Sequence, residues 1–270
     1  MSKPIAWVMC DLDGTLLDSN KKLSDTTYQT LRSLKQKGIY FGVATGRPLA
    51  SLLNKLEEMR LDTLCDGIVA NNGVEIYDVA SKLTKVFSPL NKQRVIDIYR
   101  PIRDRGYNYC LYDQGLLYAR FLDEHVERIA RNNGVQIHLC EIEDVQEDCF
   151  NKLMIIVQDA DMKFLKEFSL RNLPKDVRGF QSQWNMFEFV DVNASKASGI
   201  QRLISVYGHD LTQVMAFGDQ SNDIEMLAEV GIGVCMANGS DDAKKASNRM
   251  TKSNDEDGVA YFLNSYFDLK

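Results

Sequence analysis

Ile5-Ala6-Trp7-Val8-Met9-Cys10-Asp11-Leu12-Asp13-Gly14-Thr15-Leu16 is the stretch on which the fold of this chain turns. An unbroken apolar run leads straight into two aspartates, then a glycine. A short apolar run closed by turn residues reads as a buried strand. On an extended chain, residues two apart point to the same side, so Asp11 and Asp13 would share a face. Like charges so placed cost free energy unless a cation offsets them.

The pattern repeats outward from this strand. Ser24 can cap a helix that carries Tyr28, Leu31 and Leu34 on one face and stops at Gly38. Residues 39–44 form a second strand, and Pro48 suits the first position of a second helix. Residues 68–70 read as a third strand. Residues 214–217 and 232–235 repeat the arrangement around a helix at 223–229. Apolar strands alternating with helices indicate an α/β fold with a parallel sheet covered on both faces.

The middle of the chain has a different style. Residues 107–112, the turn Asp113-Gln114-Gly115 and residues 116–121 read as a β-hairpin. Residues 152–157, 161–171 and 186–192 continue as α+β. The expected organisation is a core over 1–83 and 188–270, with an α+β domain inserted over 84–187. The acidic run 141–148 reads as a solvated loop or helix.

Composition narrows the function. The chain has 270 residues, 44% hydrophobic and 26% charged, with a net charge of −6. An acidic chain with no basic block is a poor general binder of nucleic acid. No apolar segment suits a signal peptide or a membrane span. The six cysteines form no C-x-x-C, so reduced thiols in a cytoplasmic protein are expected. His125, His138 and His209 lack metal-ligand spacing. Neither G-x-x-x-x-G-K-[ST] nor G-x-G-x-x-G occurs.

The notable polar residues follow strands, where open parallel sheets bind ligands. Asp11 could attack phosphorus, and Asp13 could protonate a leaving oxygen and later activate water. Taken alone, the pair could instead close a turn, though D-x-D-G-T is a restrictive match that favours the functional reading. Thr45-Gly46-Arg47-Pro48 reads both as a helix start and as an anion site of free N–H groups, a hydroxyl and a fixed charge. Asp219, Asn222 and Asp223 could be helix caps, with Asn222 and Glu225 resembling a capping box. Beside Asp11 and Asp13 they instead suggest an oxygen-only Mg2+ site. Lys196 lies near the start of a helix over 195–207, where a cation opposes the dipole, and a carboxylate partner would explain it.

Charge ties these together. Asp11, Asp13, Asp219 and Asp223 bring four negative charges and Lys196 returns one. At an effective dielectric of ~20, one unit pair ~4 Å apart is worth about 4 kcal/mol, so a phosphate would be repelled. A divalent metal reverses that sign. The expected cofactor is Mg2+ and the expected chemistry phosphoryl transfer.

In this order the motifs DLDGTLLDSN at 11–20, ATGRP at 44–48, NNG at 71–73, ASKASG at 194–199, GDQSNDIEML at 218–227 and SNDEDGVA at 253–260 resemble the haloacid dehalogenase superfamily. Within it, the likeness is to the Cof-type phosphatases of sugar phosphates and related metabolites. The resemblance implies a Rossmann-like core with an inserted α/β cap. It implies Asp11 as nucleophile, Asp13 as acid and base, Thr45 on a phosphoryl oxygen, and Lys196 holding Asp11 and the phosphate. It implies Mg2+ on Asp11, the Asp13 carbonyl and Asp219, with Asn222 and Asp223 ligating directly or through water. Asn72 would adjoin the substrate, and Gly46 and Arg47 are assigned with it.

Gln220, Asn71 and Gly239 depart from the family pattern and bear on substrate fit. The leading expectation is a Mg2+-dependent phosphomonoester hydrolase for a small phosphorylated metabolite, acting as a monomer in the cytoplasm. A sugar phosphomutase and a receiver-like phosphoryl-binding module remain alternatives. Tyr109, Tyr112 and Arg120 on the hairpin are candidate substrate contacts, with ordinary packing as the alternative for each.

Overall fold

The computed structural model describes residues 3–113 and 115–269. Gln114, in the expected hairpin turn, lies outside the described residues. The apolar run becomes strand β1, Trp7–Cys10, and all four side chains are fully buried. Successive side chains face opposite sides of a sheet, so both faces of β1 are covered. Fully burying one large apolar side chain contributes about 1.5–3 kcal/mol, which makes β1 the anchor of the core. The Trp7 ring stacks on Tyr40 at 4.7 Å, and its Nε1 donates to His209 Nδ1 at 3.1 Å.

After β1 come α1, Asp25–Gln36, β2, Tyr40–Ala44, α2, Leu49–Leu53, β3, Gly67–Ala70, β4, Glu75–Asp78, and β5, Leu83–Val86. Then follow β6, Leu90–Asn91, α3, Lys92–Tyr99, β7, Asn108–Asp113, β8, Leu116–Ala119, α4, Glu124–Asn133, β9, Gln136–Leu139, and β10, Cys149–Phe150. The chain continues through β11, Leu153–Ile156, α5, Asp159–Asn172, β12, Val177–Gln183, and β13, Met186–Asp191. It ends with α6, Lys196–Ser205, β14, Val214–Gly218, α7, Ile224–Glu229, β15, Ile232–Cys235, α8, Asp241–Ala246, β16, Arg249–Met250, and α9, Gly258–Phe267.

The chain divides into two compact units. One comprises the chain up to Leu49, Leu53–Lys85 and the chain from Ser195; the other comprises Ala50–Leu52 and Val86–Ala194. The second boundary falls at Ala194 because β13 is bound into the second unit's sheet by both β11 and β12.

The first unit holds an eight-stranded sheet in the order β16-β15-β14-β1-β2-β3-β4-β5. From β16 to β3 every pairing is parallel, and β4 runs antiparallel to β3. This is the parallel-sheet α/β core expected from the strand pattern. Strand order proceeds one way from β1 to β2 and β3, and the other way from β14 to β15 and β16. The reversal lies between β1 and β14, the place where such sheets bind ligands. Helix α1 starts at Ser24, whose hydroxyl accepts from Thr27 N at 3.0 Å, and buries Leu31 and Leu34. Tyr28 is only half-buried and lies under the Arg60 guanidinium, while Thr27 and Thr30 complete the buried face.

The second unit carries a six-stranded sheet, β12-β13-β11-β7-β8-β9, with alternating residues serving separate cores. Tyr109, Leu111, Leu153, Ile155, Phe187 and Phe189 pack with Val95 and Ile98 of α3 and Leu165 and Phe168 of α5. Cys110, Met154, Ile156 and Met186 pack with Val126, Ile129 and Ala130 of α4. The acidic run 141–148 is not simply solvated, since Ile142 and Val145 join the first of these cores. Tyr109 is fully buried and its hydroxyl donates to Cys140 O at 2.6 Å. Arg120 is engaged by Glu141 and by Arg103 O, and Tyr112 by Asn133. Packing within the unit therefore accounts for Tyr109, Tyr112 and Arg120. All six cysteines are free thiols. Among the described residues, no helix is long and apolar enough to cross a membrane.

Candidate active site

Asp11 continues β1 by one residue, its N–H donating to Phe217 O of β14 at 3.0 Å. The chain then turns sharply at Gly14, whose φ is +88°. A Cβ at Gly14 would lie 2.6 Å from Asp219 Oδ2, so this turn requires glycine both for its backbone and for its neighbour. Thr15 follows and donates from Oγ1 to Asp219 Oδ1 at 2.8 Å. Strand β14, beside β1, ends at Gly218 and delivers Asp219. The acceptor that shapes this second turn is Asp223, whose Oδ2 receives the N–H groups of Asp219 and Gln220 at 2.9 and 3.0 Å. The cap pairs Gln220 with Asp223, not Asn222 with Glu225 as the sequence suggested.

Lys196 is delivered by the start of α6, where Ser195 and Ser198 form a capping box. It is fully buried. Its Nζ donates to Asp11 Oδ1 and to Asp223 Oδ1, both at 2.7 Å. Burial alone would push the lysine down, but Asp11 and Asp223 outweigh it and hold Lys196 above its usual range. Burial pushes the Asp11 carboxyl up to about 8; Lys196 opposes this, while Asp223 and Asp219 add to it. Asp219 is also raised, first by burial and then by Asp223. Three carboxylates share one lysine here, so the cluster is short of positive charge.

Asp11, Asp219 and Asp223 each place one carboxylate oxygen within 4.8 Å of the others. An all-oxygen, all-carboxylate donor set fits a hard divalent cation such as Mg2+ and fits a soft metal poorly. The Asp13 carboxylate is not among these donors. Arg47 grips it from Nε to Oδ2 at 2.8 Å and from Nη2 to Oδ1 at 2.7 Å. Lys21 adds an ion pair to Oδ1 at 2.8 Å. Burial opposes ionisation of Asp13, yet the hydrogen bonds and charges of Arg47 and Lys21 bring it down to about 2. The sum of four negative charges against one lysine is thus corrected: Asp13 has cations of its own.

Thr45, Gly46, Asn72 and Asn222 gather in a third group. Thr45 is buried after β2, its N–H bound to Val69 O at 2.8 Å, and its hydroxyl accepts from Arg47 N at 3.2 Å. Asn72 N donates to Thr45 O at 3.0 Å, and Asn72 Oδ1 accepts from Asn222 Nδ2 at 3.1 Å. A Cβ on Gly46 would meet that Asn72 amide at 3.3 Å. Asn71 and Asn72 both have left-handed backbone, with φ of 46° and 54°. Asn71 Nδ2 donates to Glu75 Oε2 at 2.5 Å, and the same oxygen accepts Leu49 N at 3.1 Å. The additional amide at Asn71 thus braces the turn from β3 against the start of α2.

Sequence reasoning missed Thr15, Lys21 and Glu75. Thr15 stood inside the motif without a role. Lys21 carried no signal, because a lysine in a polar loop looks like any exposed lysine. Gln220 is exposed and donates from Nε2 to Asp219 Oδ2 at 3.0 Å, so it touches the carboxylate cluster.

The fold and this carboxylate–lysine centre define a class. The chain belongs to the haloacid dehalogenase-like hydrolase family, whose model matches residues 8–263. It is similar to the 5-amino-6-(5-phospho-D-ribitylamino)uracil phosphatase YitU of Bacillus subtilis, 29% identical over 97% of each chain. A second Bacillus subtilis phosphatase of that name, YcsE, is 28% identical over 95% of this chain and 93% of its own length. Among solved structures, a haloacid dehalogenase-like hydrolase from Bacteroides thetaiotaomicron superposes with a TM-score of 0.83 at 28% identity, covering 97% of this chain and 100% of that one.

Proposed function

We propose that this protein is a Mg2+-dependent phosphomonoester hydrolase that acts through an aspartyl-phosphate on Asp11. The observation that carries the reading is the buried Lys196, bonded at 2.7 Å to both Asp11 and Asp223 beside Asp219. A lysine so placed holds one oxygen of Asp11 and leaves the other to face an incoming phosphorus atom. Asp11, Asp219 and Asp223 would hold the metal, with the Asp13 carbonyl and Asn222 completing the set. When bound, Mg2+ supplies charge neutralisation for the phosphoryl oxygens and orients them for in-line attack.

The residues of the chain do the rest. Asp11 attacks phosphorus, and its bond to phosphorus forms as the ester oxygen leaves. Asp13 gives that oxygen a proton, then takes one from the water that cleaves the aspartyl-phosphate. The clamp of Arg47 and Lys21 favours the ionised Asp13, which is the form the water step needs and not the form that donates to the leaving oxygen, so the proton for the first step has to be taken up against the clamp. Thr45, Gly46 and Asn72 supply hydroxyl, backbone and amide groups for the phosphoryl oxygens and leaving group.

A sugar phosphate or similar phosphometabolite is the substrate class we favour. The relatives YitU and YcsE support it, since the substrate in their names carries its phosphate on a ribityl chain. Selection of the leaving group falls to the second unit, read as an inserted cap. In this reading the protein is a cytoplasmic monomer with neither nucleic acid nor membrane as partner. A receiver-like module needs no Asp13 clamp, and no specific observation favours a mutase.

The test is phosphate release from p-nitrophenyl phosphate and from a panel of sugar and polyol phosphates, with and without Mg2+, beside Asp11→Asn. Metal-dependent turnover lost in the variant is the expected result. Turnover that survives Asp11→Asn would remove Asp11 as nucleophile, and an isomerised sugar phosphate without free phosphate would make the protein a mutase.

A further inference from the structure

The motif at 253–260 has no part in the chemistry above, yet it is tied to the loop after Leu17 that carries Lys21. Ser19 donates from N to Asp255 Oδ1 at 2.8 Å and from Oγ to Asp255 Oδ2 at 2.6 Å. Asn254 Nδ2 donates to Leu17 O at 3.0 Å. Asp257 accepts the hydroxyls of Ser24 and Thr27. Asn238 links the same turn to the catalytic loop, accepting Asn254 N at 3.1 Å and donating to Gly14 O at 2.8 Å. The 3-10 turn Asn254–Glu256 therefore holds the Leu17–Ser19 end of the loop, and Asp257, the residue after it, holds the Ser24 end.

Between these anchors the loop closes on itself. Asp18 N donates to Lys22 O at 3.0 Å, and Lys21 N to Asp18 O at 2.9 Å. Asp18 Oδ1 accepts Asn20 N and Lys22 N at 2.9 and 2.8 Å. Within the loop Lys21 lies in the left-handed region, with φ of 62°, an uncommon conformation for a lysine. The outcome is the Lys21 Nζ ion pair with Asp13 Oδ1 at 2.8 Å, on the oxygen that Arg47 Nη2 also holds. An exposed lysine free to swing would contribute little; one aimed by a pinned loop loses less entropy in making the contact.

We propose that Lys21 is a positioning residue for Asp13, aimed by the Asn254–Glu256 turn through the Ser19–Asp255 bonds. The inference rests on the phosphatase reading. Lys21 touches no reacting atom; it fixes, with Arg47, the direction in which the Asp13 carboxyl faces the leaving group.

The test compares kcat/KM for two esters that need the Asp13 proton unequally. p-Nitrophenol leaves readily as an anion, whereas an alkyl alcohol such as that of glycerol 2-phosphate needs a proton as it departs. Losing this cation would by itself favour the protonated Asp13 and so the acid step. A positioning role predicts the reverse, and Lys21→Met is expected to lower kcat/KM for glycerol 2-phosphate about tenfold more than for p-nitrophenyl phosphate, a fraction of the 10²–10⁴-fold range of general acid catalysis. Lys21→Arg should recover most of the difference, and Asp255→Asn should shift the ratio in the same direction. Lys245→Met, which removes a remote exposed pair with Asp242, should leave the ratio unchanged. Without metal or substrate, Asp255→Asn should also speed amide exchange in the loop at 18–22, read by mass spectrometry. Equal losses on the two esters, or an unchanged ratio in both Lys21→Met and Asp255→Asn, would overturn the proposal while leaving the phosphatase reading intact. Absence of Asp11-dependent hydrolysis in the parent would overturn both.

Discussion

Arg47 holds both carboxylate oxygens of Asp13, through Nε at 2.8 Å and Nη2 at 2.7 Å. A planar guanidinium matched to a carboxylate in this way is stronger than a point-charge pair. It makes the ionisation of Asp13 depend on a residue that the sequence had placed with the substrate.

Arg47→Met should therefore change how stability depends on pH. The folded Asp13 lies at about 2, below its ordinary value. A depressed carboxylate contributes stability that is complete above its ordinary value and is lost as pH falls towards 2. The Asp13 side chain is 37% exposed, so solvent screening limits the term to about 1 kcal/mol. Urea denaturation of the two proteins should give a constant difference from pH 7 to 5 that shrinks below pH 4. A difference that grows on acidification would mean that the clamp does not hold Asp13 ionised.

Lys196→Met removes the cation that, among the described residues, is bonded to both Asp11 and Asp223. Breaking a buried pair by deleting one partner costs roughly 3–5 kcal/mol. The cost should be larger near pH 8 than near pH 4, because Asp11, which burial pushes up to about 8, carries more of its charge at the higher pH. Chemical denaturation without metal at the two pH values measures this. A flat penalty would point to lost packing rather than charge.

Divalent cation should act most strongly where Asp11 resists ionising. Its folded value of about 8 exceeds the ordinary one, so the folded chain holds the proton longer than the unfolded chain does. Stability of the metal-free protein accordingly falls from about pH 4 to about pH 8 through this group. A bound cation favours the ionised cluster and displaces the proton. Millimolar Mg2+ should raise Tm more at pH 8 than at pH 5, and Asp219→Asn should suppress the increase at both. Equal increases in parent and variant would place the cation elsewhere.

Gly73 tests the packing of the turn that carries Asn72. Its φ is +100°, and an added Cβ would lie 1.9 Å from Ser195 O, directly before Lys196. Gly73→Ala should destabilise by more than the roughly 1–3 kcal/mol of backbone strain alone. Gly38→Ala is the control, since Gly38 also has positive φ but nothing within 4 Å of the new atom. Similar losses of Tm in the two variants would mean that the turn and α6 separate easily.

The centre of the fold was legible because it rests on local pattern. An apolar run as long as β1 has few alternatives, and the aspartates at the ends of β1 and β14 followed from where strands stop. Edge elements such as β16 and the two-residue β6 carry too few residues for periodicity to register. The position of Lys196 against its helix dipole was a usable sign, and Asp11 and Asp223 are what it points to. The partner of Asp13 was not legible. Arg47 is 34 residues away and Lys21 sits in a polar loop, so neither contact leaves a trace in spacing. The capping box of the turn after β14 was read at Asn222 and Glu225, whereas Gln220 and Asp223 form it two residues earlier, a register that local spacing does not fix.

Asp11 and Lys196 are 185 positions apart, and β1 pairs with β14 on one side and β2 on the other. A ribosome synthesises the chain from its N-terminal end, so β1 emerges long before β14 and the lysine exist. Until then one edge of β1 is bare, and Asp11 has no ammonium to receive. The nascent chain can complete the second unit while its reaction centre is still half made. Activity should arrive late and abruptly in synthesis, and a pause after residue 194 would release a chain with an exposed apolar strand. Such a species is a natural client for chaperones.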